Sequence, residues 1–457
     1  MEDKALPEGA AAPHGIGLRE AAQVWARIAC LSFGGPAGQI ALMHRILVEE
    51  KRWIGEARFL HALNFCMLLP GPEAQQLATY IGWLLHRTWG GLVAGTLFIL
   101  PGALAILALS YVYVLFGQVP LVQGLFFGIA SAVLAIVAQA VLRLGRRTLR
   151  SRAMLVLAAA AFIASALFGV PFPAVVAAAA LIGLAGRFAG PGNASADAVR
   201  AEDRESALGE TLPAHARPGA GWSLRLGAVF LGLWLAPSAV LVAMLGPDAV
   251  FTRLSLFFSQ AALVTFGGAY AVLTYVADAS VGTFGLLRPG EMVDALAMAE
   301  ATPGPLIMAV QFVGFLAAFR APGGLDPLLA ATLGALLTIW VTFVPCFLWI
   351  FLGAPFAERL RASRALTSAL AAVTAAVVGV ILELMLWFAA HTLFSEVRPA
   401  AWGGLRAELP VLASVRPDAV ALAGLAAVAL LGLRWSVPAV LAAAGAAGML
   451  LRLSGLP

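Results

Sequence analysis

The sequence predicts an all-α polytopic membrane protein of two inverted-topology homologous repeats, whose broken or re-entrant helices meet near the membrane midplane. Three observations predict it. The 457 residues are 61% hydrophobic and only 12% charged, whereas soluble proteins carry roughly 25% charged residues. Two uncommon glycine-proline motifs recur with one spacing in both halves. The most basic loop also changes its place between the halves.

Two pairs of motifs predict the repeat. Ser32-Phe33-Gly34-Gly35 aligns with Thr265-Phe266-Gly267-Gly268, and Pro70-Gly71-Pro72 aligns with Pro303-Gly304-Pro305. Both alignments have one offset, because 265 − 32 and 303 − 70 each equal 233. Such agreement without a gap predicts two homologous halves.

Changes in polarity divide the chain. Its first residues are polar, lack the hydrophobic region of a signal peptide and are expected to stay in the cytoplasm. The stretch between the halves is rich in Gly, Pro, Ala and mixed charges, which is typical of a flexible linker. The predicted units are a cytoplasmic amino-terminal segment (1–20), the first repeat (21–187), a cytoplasmic polar linker (188–222), a connecting transmembrane span (223–246) and the second repeat (247–457).

Nine apolar segments have the length expected of bilayer-spanning helices. They lie near residues 90–116, 121–142, 153–169, 171–187, 223–246, 325–353, 366–390, 412–433 and 436–454. Four further segments contain the motifs and are interrupted near their middles, at 21–43, 59–87, 252–276 and 291–319. We interpret these four as re-entrant hairpins; if they crossed the membrane in pairs, the number of spans would rise to thirteen.

Arginine-rich loops predict the orientation of each half. Arg143–Arg152 contains five arginines and no acid, and it is the second loop after the first PGP motif. In the second half the basic loop, Ala354–Ala365, is the first one after PGP. Basic loops lie in the cytoplasm, so this exchange predicts two repeats of opposite topology. The span 223–246 supplies the odd crossing, and the carboxyl end is then outside.

The breaks themselves predict an anion site. Pro36, Pro72 and Pro305 stand where a second half-helix would begin, a position that favours proline. The free N–H groups and the partial positive charge of such helix ends attract anions, and glycines allow the backbone to come close. Hydroxyl and amide side chains can add donors. The predicted substrate-binding residues are Ser32, Phe33, Gly34, Gly35, Pro36, Pro70, Gly71, Pro72, Gln75, Gln76, Thr265, Gly267, Gly268, Thr302, Pro303, Gly304, Pro305 and Gln311.

Two carboxylates flank these breaks. Glu73 follows Pro72, and Glu300 precedes Pro303 by three residues. Each is interpreted in two ways, as an acid that interacts with a helix dipole or as a proton-coupling residue, because carboxylates inside membranes are functional candidates. Cys30, Cys66 and Cys346 are scattered, so we predict no metal site and no disulfide framework. Cofactor, nucleotide-binding and hydrolase motifs are missing, which predicts neither an enzyme nor an ATP-driven pump.

Four stretches closely resemble the signatures of the chromate ion transporter (CHR) family in its long two-domain form. They are SFGGPAGQIALMH, LPGPEAQQLATYIGW, TFGGAYAVLTYV and ATPGPLIMAVQFVGF, and the resemblance extends from about Arg19 to the end. It implies a multi-pass carrier of the bacterial inner membrane that exports chromate and confers chromate resistance. Efflux would be driven by the membrane potential, with proton antiport as an open addition.

Other functions stay open at this stage. A carrier of sulfate or another oxyanion, or an anion channel of the same fold, would use the same breaks, because tetrahedral dianions of similar size differ little in hydrogen bonding. An intramembrane reductase that uses the cysteines is a third hypothesis, but it predicts clustered cysteines. The expected partners are a small inorganic oxyanion and the lipid bilayer, and not nucleic acid. The oligomeric state is left open, a homodimer included.

Overall fold

Helices form most of the chain in the computed structural model, which describes residues 15–185, 206–208, 220–266, 269–354, 364–402 and 405–454. The helices up to residue 185 are α1 (Leu18–Leu31), α2 (Gly35–His44), α3 (Glu56–Cys66), α4 (Glu73–Phe116), α5 (Pro120–Thr148), α6 (Arg152–Ala166) and α7 (Phe172–Ala185). The remaining helices are α8 (Ala220–Leu245), α9 (Val250–Val264), α10 (Ala269–Ala277), α11 (Pro289–Ala301), α12 (Ala309–Arg320), α13 (Pro327–Gly353), α14 (Arg364–Leu393), α15 (Pro417–Ala427) and α16 (Val437–Leu453).

Among the described helices, five are long and apolar enough to cross a membrane, namely α4, α5, α8, α13 and α14. The chain is therefore an all-α polytopic membrane protein, as predicted. Of the other predicted spans, α6, α7, α15 and α16 are shorter apolar helices in the described part of the chain, and α7 ends where the described residues end. The longest of them, α16, has 17 residues, at the lower limit for crossing a membrane, so the number of nine spans stays a prediction.

In the first half, the segment with the SFGG motif turns back on itself. Helix α1 ends at Leu31, α2 begins at Gly35, and a π-helical turn continues α2 to Glu50. Lys51 Nζ then lies 3.3 Å from the carboxylate of Glu20, near the start of α1. The two arms therefore form a hairpin, as the sequence predicts.

The segment with the LPGP motif also returns to the end from which it starts. Helix α3 leads to the break, and α4 leads away from it as far as non-helical backbone at His86 and Arg87. His86 Nε2–H donates to the carbonyl oxygen of Ile16, at 2.8 Å. Both hairpins of the first half thus open at one end of the molecule. We call the end with Ile16 and His86 the near end.

The hairpin of α11 and α12 in the second half opens elsewhere. Arg320, at the end of α12, forms a salt bridge with Glu291 near the start of α11. The second part of α4, residues 88–116, leads from the near end to these residues, since Tyr113 hydroxyl donates to Asp294 at 3.0 Å. We call the end with Arg288 and Arg320 the far end. Hairpins that open at opposite ends are what two inverted repeats predict, and the inversion itself stays a prediction.

The secondary structure recurs with the offset of the motifs. The π-helical turns Arg45–Glu50 and Asp278–Thr283 lie 233 positions apart, because 278 − 45 and 283 − 50 each equal 233. Helices α3 and α11 begin at Glu56 and Pro289, again 233 positions apart. Local backbone irregularities therefore repeat along with the sequence motifs.

Each half packs its last two helices against the other half. Helices α15 and α16 pack on α5, whereas α6 and α7 pack on α14. At the first of these interfaces a Cβ on Gly124 would lie 2.5 Å from the carbonyl oxygen of Gly448. At the second, Ser368 hydroxyl donates to the carbonyl oxygen of Gly183 at 2.7 Å. Small residues permit this close approach of helix backbones, so the halves interlock.

Several predicted segments lie partly or wholly outside the described residues. Of the linker, residues 206–208 are described, and Ala207 N–H donates to the carbonyl oxygen of Arg52 at 2.9 Å. Most of the basic loop 354–365 and residues 1–14 lie outside. Between α14 and α15 the chain forms an antiparallel hairpin of β1 (Val397–Trp402) and β2 (Leu405–Pro410).

Candidate anion site

The four breaks meet in two pairs, and each pair joins the two halves. The backbone N–H of Gly71 donates to the carbonyl oxygen of Thr265 at 2.8 Å, and that of Gly304 donates to the carbonyl oxygen of Ser32 at 2.9 Å. The two bonds are equivalent, because Gly71 and Gly304, like Ser32 and Thr265, lie 233 positions apart. One chain therefore supplies both partners of each contact.

A buried tyrosine connects the two pairs. Tyr270, on α10 beside the Thr265 break, donates its hydroxyl to Glu300 Oε1 at 2.5 Å. The same hydroxyl oxygen would lie 3.5 Å from a Cβ on Gly35. Gln39 Nε2 donates to the carbonyl oxygen of Gly304 at 2.5 Å, across the same interface. The breaks are thus joined in one hydrogen-bonded cluster.

Glycine is required at the two donor positions. Gly71 has φ 130° and Gly304 has φ 110°, which L side chains rarely adopt. A Cβ on Gly71 would also lie 2.7 Å from Gln76 Nε2 and 2.9 Å from Cys346 Sγ. The PGP motif therefore allows a backbone approach that another residue would block.

Helices begin after the breaks at the predicted places. Helix α2 begins with Gly35 and Pro36, and Pro72 directly precedes α4. Pro305 precedes a 3₁₀ turn that continues into α12. Each start carries first-turn N–H groups without intrahelical partners. Phe33 and Gly34 lie within the first break, and Pro70 and Pro303 precede the two glycines; Gly267 and Gly268 lie outside the described residues.

The three predicted hydroxyl donors have partners in this conformation. Ser32, Thr265 and Thr302 are buried and each follows the last residue of a helix. Their hydroxyls donate to carbonyl oxygens four residues earlier, at 2.7, 2.6 and 2.9 Å. They cap the preceding half-helices here, so direct donation to an anion requires them to exchange partners.

The glutamines bring polar atoms without partners into the same region. Gln76 Nε2 donates to the carbonyl oxygen of Pro70 at 2.8 Å, and Gln311 Nε2 donates to that of Ala103 at 2.9 Å. Gln75 Nε2 donates to Thr79 hydroxyl at 3.0 Å. All three side-chain oxygens are buried without a hydrogen-bond partner. An orphaned buried polar group costs about 1–3 kcal/mol, so this cluster is a polar region within apolar helices.

The two carboxylates differ in their surroundings. Glu300 is 2% exposed, and its Oε2 is buried without a partner while Oε1 accepts from Tyr270. Glu73 is the first residue of α4 and is half-buried, where its carboxylate interacts favourably with the helix dipole. No lysine or arginine occurs at 32–36, 69–76, 265–270 or 300–311. Within these segments the positive potential comes from backbone dipoles, and the charges of Arg147 and Arg143 on α5 act on Glu73 and Tyr270 from outside them.

The family model described as "Chromate transporter" matches residues 19–184 and again 252–449. The chain belongs to the chromate transporter family. Both matches begin at equivalent positions, because 252 − 19 is 233. This is a family of transporters, which agrees with the prediction that the chain is not an enzyme.

Curated relatives of this family member align over most of their length. A "Chromate transport protein" of Pseudomonas aeruginosa is 34% identical over 77% of this chain and 76% of its own. Another from Cupriavidus metallidurans is 30% identical over 80% of both chains. A "Probable chromate transport protein" of Synechococcus elongatus is 27% identical over 80% of this chain and 82% of its own. No solved structure matches the chain.

The sequence did not predict several residues of the hydrogen-bonded cluster that joins the helix breaks. Gln39 and Tyr270 were absent from the predicted set, although both lie in the quoted motifs. Gly102 of α4 also belongs to it, since a Cβ on Gly304 would lie 3.4 Å from its Cα. In the other half, Cys346 of α13 lies beside Gly71. Pro101 and Pro345 precede these two residues inside long helices, and such mid-helix prolines were the available signal.

Proposed function

We propose that this protein exports chromate, a tetrahedral dianion, across the bacterial inner membrane through the cluster of helix breaks. The observation that carries the proposal is the reciprocal pair of bonds from Gly71 to Thr265 and from Gly304 to Ser32. Broken helices in matching positions of two repeats are the best indication of a transport site. Two relatives named as chromate transport proteins, and a third named as a probable one, support the choice of substrate.

The proposed substrate site consists of the predicted break residues, the three glutamines and the first-turn N–H groups of the half-helices. We include the inverted arrangement of the two repeats in the proposal. The hairpins that open at opposite ends and the two family matches support it. Alternating access would then break one cross-half bond at a time, since Gly71 and Gly304 hold equivalent but opposite positions.

Membrane electrostatics favour export. The free energy of one charge changes by about 2.3 kcal/mol when it moves through 100 mV. The free energy of a dianion that leaves a negative-inside cell therefore falls by about 4.6 kcal/mol per 100 mV. This corresponds to a concentration ratio of more than about a thousandfold. The proposal has the cytoplasm at the near end, because the arginine-rich segment 143–152 lies where α5 ends there. Glu73 and Glu300 are the proposed sites of additional proton antiport.

Flux into and out of proteoliposomes tests this proposal. Wild-type protein should carry chromate with a rate that follows an imposed membrane potential. Gly71→Leu should abolish flux, because a side chain there meets Gln76 and Cys346. Gly232→Leu is the matched control, because nothing lies within 4 Å of a Cβ at Gly232. Normal chromate flux by a folded Gly71→Leu protein would overturn the assignment of the site.

Sulfate is the second candidate substrate. The breaks contain no cationic side chain, so recognition depends on tetrahedral shape and charge, which sulfate shares with chromate. Sulfate added on the chromate side should compete if the site accepts both. Faster flux of sulfate than of chromate would make the protein a general oxyanion carrier, and flux beyond the turnover of carriers would make it a channel.

A further inference from the structure

A cavity separate from the helix breaks lies at the far end. Its volume is about 420 Å³, and it is lined by the ends of α4, α5, α11, α14, α15 and α16. Four basic side chains contribute, namely Arg288, Arg416, Arg452 and His391. We call it the arginine cavity.

Two guanidinium groups in the arginine cavity share one aromatic ring. Arg416 Cζ lies 4.6 Å and Arg452 Cζ 5.5 Å from the ring centre of Phe127. Within the described part of the chain, neither side chain forms a salt bridge. The nearest acid in sequence, Asp418, accepts the N–H of Ala419 at 2.9 Å. The charge of Arg452 acts unfavourably on that of Arg416, so an anion beside these two cation–π contacts would relieve the repulsion.

The cavity's own carboxylates have other partners. Glu291 pairs with Arg320 and also accepts the backbone N–H of Arg288 at 2.8 Å. Asp294 accepts the hydroxyl of Tyr113 at 3.0 Å. Neither acid forms a salt bridge with Arg416 or Arg452, and Asp418 attracts Arg416 without a direct ion pair. Both guanidinium groups are therefore without a paired carboxylate in the described part of the chain.

A hydroxyl without a partner also lines the cavity. Thr392 is 3% exposed, and its Oγ1 is buried without a hydrogen-bond partner. The adjacent His391 lies 3.5 Å from Glu408. A buried hydroxyl needs a hydrogen bond, and an oxyanion in the cavity would accept one after a change of the Thr392 rotamer, since Oγ1 is covered in this conformation. The orphaned hydroxyl is an observation independent of the arginines, and both call for the same ligand chemistry.

We propose that the arginine cavity is a second binding site for a free tetrahedral oxyanion, held by Arg416, Arg452 and Thr392. The inference rests on the proposed function, for which it supplies an outer station on the transport path. Helix α11 connects the two sites, since it forms the cavity wall at Asp294 and ends at the Thr302 break. These two residues are eight positions apart, about 12 Å along the helix. A basic vestibule concentrates anions before or after they pass the breaks.

Binding of radioactive sulfate and chromate to purified protein tests the cavity. The Gly71→Leu background removes the proposed site at the breaks, so residual binding reports the cavity. We expect saturable binding in this background. The double variant Arg416→Gln with Arg452→Gln should lower the affinity at least about tenfold, because each lost guanidinium removes a charge-assisted hydrogen bond. The double Arg→Lys variant should retain most of it.

Controls separate the possible outcomes. Arg253→Gln is the matched variant, since Arg253 Cζ lies 5.1 Å from the ring of Phe284 but outside the cavity; it should bind like its parent. Gel filtration and thermal unfolding check that each variant folds. Absence of binding in folded Gly71→Leu, with wild-type flux intact, overturns the cavity and leaves the proposed function standing. Cavity binding without wild-type flux overturns the proposed function instead.

An anionic lipid headgroup offers the same phosphate-like chemistry. Delipidated protein should bind sulfate, and phosphatidylglycerol in nanodiscs should not displace it. If only phosphatidylglycerol binds, and binding depends on Arg416 and Arg452, the cavity is a lipid site and the proposal of a free oxyanion is wrong.

Discussion

At the scale of single residues, the glycines of the breaks are the most constrained positions. Gly304 has φ 110°, and a Cβ there would lie 3.4 Å from Gly102 Cα. We expect Gly304→Ala to lower the free energy of unfolding by about 1–3 kcal/mol, since L residues are strained at this φ. Thermal unfolding in detergent measures this loss. Gly232→Ala, in open space, should leave stability unchanged, and equal stability of both variants would contradict the strain argument.

The Tyr270–Glu300 pair allows the proton role to be separated from structure. Glu300→Gln keeps an oxygen that can accept from Tyr270 but cannot titrate. We expect it to fold, transport, and lose the dependence of flux on a pH gradient. Tyr270→Phe instead leaves Glu300 Oε1 without its 2.5 Å partner and should destabilise the protein by about 1–3 kcal/mol. Unchanged pH dependence in Glu300→Gln would remove Glu300 as a coupling residue and leave Glu73.

Sequence reasoning found the breaks but not their partners. The offset of 233 residues identified which positions are equivalent, and the glycines and prolines identified where helices stop. Neither could reveal that Gly71 pairs with Thr265 rather than with Ser32, because pairing depends on how the halves pack. For the same reason the hydroxyls of Ser32, Thr265 and Thr302 were expected to face a ligand, whereas they cap their own helices.

At the scale of helices, the packing of α15 and α16 of the second half on α5 of the first half depends on small residues. A Cβ on Gly128 would lie 2.8 Å from the carbonyl carbon of Ala444 and 3.1 Å from Gly445 Cα. We expect Gly128→Leu to cost about 1–3 kcal/mol through overpacking. Gly424→Leu, on α15 with nothing within 4 Å of its Cβ, is the control. Thermal unfolding of both variants measures the difference, and a fully stable Gly128→Leu would argue against the close contact.

Helix length was the least predictable feature of the elements. Composition identified 153–169, 171–187, 412–433 and 436–454 as apolar, which is correct. It did not indicate that α6, α15 and α16 are shorter than the five long helices. Apolar residues facing a neighbouring helix and apolar residues facing lipid have the same hydropathy, so a hydropathy window extends such segments.

At the scale of the whole molecule, the near and far ends are linked by five long helices. Five crossings and the nine crossings predicted from sequence are both odd numbers, and either would put the amino and carboxyl ends on opposite sides. The opposite placement of the ends stays a prediction. The position of the turns between α6 and α7 and between α15 and α16 distinguishes five crossings from nine.

The tip between α15 and α16 provides that test. Val437, which begins α16, has Cγ2 3.6 Å from a Cβ position on Gly34, so this tip lies against a helix break rather than beyond the near end. We expect Arg434→Cys, in a protein without native cysteines, to resist an impermeable maleimide applied to the near side. Arg150→Cys, exposed between α5 and α6, should react there, while Ser454→Cys should react only from the far side. Full spans would bring residue 434 to near-side water and make it react as readily as residue 150.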